Sequence, residues 1–309
     1  MATDLAPARS LALTREHVPF TERHDVPRRV VQAAAVSMIG LVVVILGFIA
    51  WNGSQLFLSG HAPLAILGSR DWNPSDEVRP AFGLLPFVAG TVAVTTLAVV
   101  LATPLATGLA FFMAEIAPGW ARAVVQPALE IFVGIPSVVW GWLGLTTLVP
   151  FLRTSGLGFT VGFSWLAGSL VLTVMILPTI TSVAYDAFRT VPGELRTASL
   201  ALGSTRWQTM RHVVLPAALS GVLTAVVLGM ARAAGEALAV QMVIGNRTVL
   251  PSALTQPMVT LTSQITMDMG NTVFGEPWNE ALWTMSLLLL LLSLGFVLLV
   301  RYLNARRAA

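Results

Sequence analysis

Lysine and cysteine are absent from the 309 residues, so all eighteen basic side chains are arginines. A P-loop needs a lysine to reach the β- and γ-phosphates, so the chain holds no ordinary P-loop nucleotide site. The lack of cysteine excludes disulfides and thiolate metal sites. The four histidines lack the spacing of metal ligands; they are His17, His24, His61 and His212. We therefore expect no metal and no cofactor on this chain, and if its activity consumes a nucleotide, we expect hydrolysis on another chain.

Charge is scarce as well. Charged residues make up 11% of the chain and hydrophobic residues 55%, whereas soluble domains usually carry about 25% charged residues. The polar side chains are too few to cover a globule, so lipid must solvate much of the surface. The composition excludes a soluble enzyme and favours a membrane protein whose surroundings are lipid and not nucleic acid.

Six stretches are apolar and long enough to cross a membrane, which takes about 20 residues. They cover residues 30–51, 82–112, 124–152, 166–184, 213–245 and 281–300. We expect an all-α integral membrane protein with six transmembrane helices. The first stretch is longer than the apolar region of a signal peptide, so it should remain as an anchor.

Arginine placement predicts the orientation, because cytoplasmic loops carry an excess of basic residues. With the N-terminus inside, thirteen arginines fall on the cytoplasmic side, four outside and one within a span. Both termini are therefore expected in the cytoplasm. The predicted segments are a cytoplasmic tail (1–29), an N-terminal transmembrane helix (30–51), an external loop (52–81), a five-helix core (82–303) that contains a cytoplasmic loop (186–212), and a cytoplasmic C-terminus (304–309).

The predicted cytoplasmic loop has the pattern of two short helices around a glycine. Thr190 is predicted to cap the first helix, whose small and apolar residues recur at helical spacing. Gly203 is predicted to end that helix in a left-handed conformation, and Ser204 or Thr205 to cap the second. Pro216 is predicted to open the next span. Such a segment fits a groove on a cytoplasmic partner, or lies flat on the membrane with its arginines at anionic lipid head groups.

The fifth stretch contains two charges, Arg232 and Glu236. Four residues apart on one helix, they would share a face about 6 Å apart along the axis. A charge inside a span costs at least ~2.5 kcal/mol on insertion scales, so it should face protein or a watery path. The planar fork of Arg232 suits an oxyanion, and Glu236 would neutralise it when the path is empty. A structural ion pair that locks helices together is the alternative.

The cytoplasmic loop resembles the EAA loop shared by permease subunits of bacterial ABC importers. That pattern is Glu-Ala-Ala, then three residues and a glycine, and later an apolar-x-Leu-Pro end. The matching positions are Thr197, Ala198, Ser199, Gly203, Val213, Leu215 and Pro216. The resemblance implies that these residues couple the chain to an ATPase. Threonine replaces the glutamate at the first position, and Glu194, three residues earlier on the same helix face, is the candidate substitute.

Four tracts resemble permeases of the phosphate-specific importer, the Pst system. They read FGLLPFVAGTVAVT, LEIFVGIPSVVWG, ARAAGEALAVQMVIGN and TLTSQI, and the last two favour its PstC-type subunit. The resemblance implies a bacterial inner-membrane permease that pairs with a homologous PstA-type permease, a cytoplasmic ATPase dimer and an external phosphate-binding protein. It also implies that Arg232 and Glu236 serve phosphate passage.

Two other functions remain open from the residues. One is a permease of the same architecture that carries another oxyanion, such as sulfate or molybdate. The other is a self-contained channel or secondary transporter. Secondary transporters often show inverted repeats, and none is visible here.

Overall fold

The computed structural model describes residues 25–60, 62–76 and 78–308. They fall into two units, one ending at Phe48 and the other beginning at Ile49. The described part of the first unit is the N-terminal portion of one helix, and the second unit holds everything discussed below. The predicted tail 1–29 lies outside the described residues except for its last five, which are helical. The histidines at positions 17, 24 and 61 also lie outside them.

Helices make up most of the described residues. In chain order they are α1 (Asp25–Leu58), α2 (Pro63–Gly68), α3 (Leu85–Glu115), α4 (Gly119–Gly134), α5 (Ser137–Leu143), α6 (Val149–Thr154), α7 (Trp165–Arg189), α8 (Gly193–Ala201), α9 (Arg206–Thr209), α10 (Leu215–Ala234), α11 (Leu238–Ile244), α12 (Leu261–Asp268) and α13 (Pro277–Ala308). Two π turns continue the helix between α5 and α6 and between α9 and α10; they are Gly144–Leu148 and Met210–Val214. Two short antiparallel strands, β1 (Trp72–Asn73) and β2 (Ala81–Phe82), pair between α2 and α3.

Among the residues that the structure describes, five helices are long and apolar enough to cross a membrane: α1, α3, α7, the continuous helix Arg206–Ala234, and α13. A sixth crossing is present if α4 and Ser137–Thr154, which are bent by 94°, count as one broken span. The prediction of an all-α membrane protein is confirmed. The stretch predicted as one span over 124–152 is this bent pair: Pro136 has no N–H to donate and holds the preceding Ile135 in an extended conformation, so the chain turns between α4 and α5.

Small side chains allow the central helices α3, α7 and α10 to pack closely. One stripe of α3 repeats every four residues and is fully buried; it consists of Ala98, Ala102, Ala106 and Ala110. Thr173 of α7 donates to the carbonyl oxygen of Ala98 at 3.3 Å. On α10, a Cβ added at Gly229 would lie 2.5 Å from Cγ1 of Ile180, so only glycine permits this approach to α7. Close backbone contact of this kind is how helices associate where lipid supplies no hydrophobic drive.

The segment between α7 and α10 departs from two predictions. Thr190 is the C-cap of α7 and not an N-cap, since α8 begins after Pro192. Pro216 does not open a span, because the helix already runs from Arg206 through the wider π turn that directly precedes the proline. Gly203 has a φ of 84°, and the left-handed stop is confirmed. Thr205 caps α9 through a capping box with Gln208, as predicted.

Candidate functional site

Arg232 lies near the C-terminal end of α10 and is half-buried. Its Nη1 donates to Oγ1 of Thr179 on α7 at 2.9 Å. Gly229, one turn earlier on α10, faces Ile180 next to Thr179 and allows the two helices to touch. The close glycine contact therefore brings the guanidinium to a hydroxyl on the neighbouring span.

Glu236 does not share a helix face with Arg232, so that prediction is wrong. The helix ends at Ala234 with Gly235 as its C-cap, and Glu236 lies in the short break before α11. Its Oε1 accepts a hydrogen bond from the backbone N–H of Ala239 at 3.2 Å. A carboxylate at this position is favourable, because the N-terminal end of a helix carries partial positive charge.

The charge of Arg232 has no carboxylate partner within the described part of the chain. Among residues 25–60, 62–76 and 78–308, one ion pair joins an arginine to a carboxylate within 4.0 Å, and it is Arg196 with Glu115. A half-buried cation in an apolar span is costly unless it is paired or faces water. A structural ion pair within the described part of the chain therefore does not account for Arg232.

Buried hydroxyls line the other side of the break at Glu236. Thr262 of α12 donates from Oγ1 to the backbone oxygen of Glu236 at 2.8 Å. The backbone N–H of Leu261 donates to Oγ1 of Thr91 on α3 at 2.9 Å. A Cβ at Gly90 would lie 1.8 Å from the oxygen of Val259, so glycine is required for this approach. The half-helix α12 is thereby held against both α3 and the Arg232 end of α10.

Thr179 and Thr262 are site residues that the sequence analysis missed. The signal for Thr262 was present, since residues 246–280 are rich in threonine, serine and glutamine. No signal pointed to Thr179, whose neighbour Arg232 lies 53 positions away in the chain.

The predicted coupling residues divide into exposed and buried positions. The exposed ones are Glu194, Thr197, Ala198, Gly203, Leu215 and Pro216. Ser199 turns inward instead, and its hydroxyl lies 3.0 Å from that of Thr209 on α9. Ser199 therefore joins α8 to α9 and does not present its hydroxyl to a partner.

Three apolar side chains of the α8 segment are left in solvent. Leu195, Leu200 and Leu202 are 44%, 45% and 88% exposed. Glu194 stands beside them in the first turn of α8. Thr197 donates its hydroxyl hydrogen to the oxygen of Gly193 in its own helix, at 3.1 Å. That Glu194 contacts the partner in place of the glutamate missing at position 197 stays a prediction.

Arg196 is the best-satisfied arginine of this region. Its Nη2 donates to Oε1 of Glu115 at 2.6 Å and to the oxygen of Phe188 at 3.0 Å. Its Nη1 donates to the oxygen of Val191 at 2.6 Å. The alternative that placed the arginines of this loop at lipid head groups does not hold for Arg196.

Comparison with known families agrees with this architecture. Residues 106–309 match the family model described as the binding-protein-dependent transport system inner membrane component. The chain belongs to this family. It is thus a permease component of a transport system in the inner membrane, and it is not an enzyme.

Individual relatives cover most of the chain. It is 52% identical to the probable ABC transporter permease protein YqgH of Bacillus subtilis, over 91% of this chain and 90% of that protein. It is 34% identical to the phosphate transport system permease protein PstC of Mesorhizobium japonicum, over 86% of each. The Xylella fastidiosa PstC is 33% identical, over 89% of this chain and 88% of that one.

Two solved transporters have the same fold at low identity. A bacterial alginate ABC transporter matches 91% of this chain and 96% of its own with a TM-score of 0.63 and 16% identity. The MetNI methionine ABC transporter matches 72% of this chain and 95% of its own with a TM-score of 0.56 and 21% identity. The predicted permease fold is confirmed.

Proposed function

We propose that this permease forms half of the translocation path of an ATP-driven phosphate importer. The observation that carries the proposal is the guanidinium of Arg232, which lies in an apolar span and contacts a hydroxyl but no carboxylate among the residues that the structure describes. The PstC relatives support phosphate as the cargo.

Arg232 can lower the barrier for an oxyanion in the middle of the path. The guanidinium presents a planar fork that matches two oxygens of a tetrahedral anion, and Thr179 holds one of its ends at 2.9 Å. Charge attraction is stronger there than in water because the local dielectric constant is lower. The next acid along the chain, Glu236, is kept in place by Ala239 and opposes long residence of an anion. Conduction needs such a balance, since the ion must leave as well as enter.

The arginine distribution supports an orientation with both termini in the cytoplasm. In this orientation the exposed leucines of α8 face the cytoplasm, where an ATPase dimer would bind them and would hold ATP and Mg²⁺. A PstA-type permease would complete the path, and an external phosphate-binding protein would deliver the anion.

Cysteines introduced singly at Ser75 and Ser204 test the orientation, because the chain has no native cysteine. An impermeant thiol reagent added outside should label the first and not the second; the opposite pattern would refute the orientation.

The cargo is tested with the assembled complex. A tag on this chain should recover the complex from its native cells, and the complex with its binding protein can be placed in liposomes. Uptake of radiolabelled phosphate, sulfate and molybdate is then measured with and without internal ATP. We expect ATP-dependent uptake of phosphate alone. ATP-dependent sulfate or molybdate uptake without phosphate uptake would refute phosphate as the cargo. Uptake without ATP would refute the proposal that the protein belongs to an ATP-driven importer.

A further inference from the structure

Arg196 and Glu115 connect three elements that are far apart in sequence. Arg196 belongs to α8, the helix that carries the exposed leucines. Glu115 is the last residue of α3, and Phe188 is the second-to-last residue of α7. One arginine side chain thus binds the ends of two of the three central helices, α3 and α7.

The electrostatics of these helix ends explain why an arginine is needed. The C-terminal end of a helix carries partial negative charge and unpaired carbonyl oxygens. At the end of α3, the carboxylate of Glu115 adds a full negative charge to that end, and its side chain is 11% exposed. At the end of α7, the oxygens of Phe188 and Val191 are satisfied by the same guanidinium. A lysine would bring a single nitrogen to these three acceptors, whereas the guanidinium reaches them with two nitrogens held in one plane.

The remaining side-chain link of α8 leads elsewhere. The Ser199 hydroxyl meets Thr209, so it ties α8 to α9 and not to α3 or α7. Other arginines of the loop do not duplicate the contact: Arg189 lies over the ring of Tyr185. The exposed side chain of Arg206 makes no hydrogen bond or ion pair with any residue that the structure describes. Arg196 is therefore the side chain that ties α8 to the ends of α3 and α7.

We infer that the Arg196–Glu115 pair is a positioning pair that transmits displacement of α8 to α3 and α7 during the transport cycle. The inference deepens the proposed function and rests on it for the partner that displaces α8. The route continues inward, because Thr179 lies nine residues before Phe188 on α7, about 13 Å along the helix. Thr179 in turn holds Arg232. Movement at the ATPase surface would thereby reach the guanidinium in the path.

The number of phosphate ions taken up per ATP hydrolysed distinguishes a pair that transmits the displacement of α8 from a pair that only stabilises the fold. The variants are Glu115→Gln, which keeps the shape and removes the charge, and Arg196→Lys, which keeps the charge and removes the fork. Arg206→Gln is the matched control. Each complex is purified, and bound ATPase, ATP hydrolysis and phosphate uptake are measured in liposomes.

We expect both pair variants to retain the ATPase and to hydrolyse ATP while uptake per ATP falls about five-fold or more, the low end of ordinary coupling between sites. The control should keep the parental ratio. The double variant Glu115→Gln/Arg196→Lys should be no worse than either single one, because both remove the same link. An unchanged ratio in both single variants would overturn the inference, and so would loss of the ATPase from them.

A second measurement does not depend on the cargo. Spin labels on cysteines placed at Ile116, beside the end of α3, and at Ala201, the exposed last residue of α8, report the distance between the two elements in the assembled complex. We expect one narrow distribution with and without ATP in the parent, and a broad one in Glu115→Gln. A broad distribution in the parent would overturn the inference. If the complex carries sulfate instead of phosphate, the proposed cargo fails, while the sulfate-to-ATP ratio and these distances still decide the role of the pair.

Discussion

Two arginines on neighbouring parts of the chain have opposite surroundings. Arg196, at the exposed end of the helices, is bound by a carboxylate and two carbonyl oxygens. Arg232, within an apolar span, is bound by one neutral hydroxyl. A cation whose charge and donors are satisfied ties its neighbouring elements together, whereas one that is left partly unsatisfied in an apolar span can attract an anion. The contrast separates the region that we propose couples α8 to the spans from the region that we propose receives the anion.

The largest effect is expected from removing the unsatisfied charge. Arg232→Gln should assemble normally, because no carboxylate loses a partner, and should reduce phosphate uptake about a hundred-fold, the usual cost of losing a charge-stabilising donor. Arg232→Lys should keep weak uptake, since it keeps the charge and loses the fork. Uptake by purified complexes in liposomes is the measurement. Near-normal uptake by Arg232→Gln would reduce the arginine to scaffolding.

The second prediction concerns the turn at Gly203, between α8 and α9. Gly203 has a φ of 84° with no atom within 4 Å of an added Cβ, so a substitution there is opposed by backbone strain and not by a clash. Gly203→Val should enter the membrane normally and lose most of its bound ATPase, because a left-handed residue with a Cβ costs about 1–2 kcal/mol. Gly203→Asn should bind the ATPase nearly as well as the parent, since asparagine tolerates this conformation. Equal retention by the valine variant, measured by co-purification, would contradict the role of the turn.

The hydroxyl beside Arg232 should matter less than the charge itself. Thr179→Val keeps the shape and removes the acceptor, and we expect uptake to fall about ten-fold, as for a hydrogen bond to a charged group. Thr179→Ser should restore it. The measurement is the dependence of uptake on phosphate concentration, and both variants should assemble like the parent. If valine and serine behave alike, Thr179 does not position the guanidinium.

Glu236 offers a finer test of the same region. Because its carboxylate caps α11 and does not pair with Arg232, Glu236→Gln should leave the melting temperature of the complex within a few degrees of the parent. An orphaned partner of a buried pair would instead cost about 3–5 kcal/mol. We also expect a lower phosphate concentration at half-maximal uptake, since a nearby negative charge is removed. A large drop in melting temperature would show that the two charges pair after all.

The smallest effect concerns a polar turn outside both regions. The backbone N–H groups of Arg79 and Val78 donate to Asp76 and lower the pKa of its carboxyl below the ordinary 3.8. The ionised carboxylate therefore stabilises the turn fully above pH 3.8, and this stabilisation is lost as the pH falls through the lowered pKa. A dye on a cysteine at Ser75 should report the change only below pH 3.8. In Asp76→Asn the signal should not depend on pH, and a transition that persists there would assign it to another group.

Local features of this protein were largely readable from the sequence. The apolar stretches predicted the membrane spans, because a length of about 20 apolar residues has few other uses. Gly203 and Thr205 were correctly placed at a helix end and a helix start, because capping depends on one or two residues and their own backbone. The end of α10 before Gly235 could not be predicted, since a glycine in an apolar run is also common inside membrane helices.

The tertiary structure alone decided which residues contact the charged side chains. The sequence by itself determined that Arg232 and Glu236 are four residues apart, but the end of α10 at Ala234 separated them. Their actual partners lie far along the chain: Thr179 is 53 residues from Arg232, and Thr262 is 26 residues from Glu236. Glu115 is 81 residues from Arg196. Sequence spacing specifies neighbours only within one helix, whereas contacts between helices depend on which small residues let which faces approach.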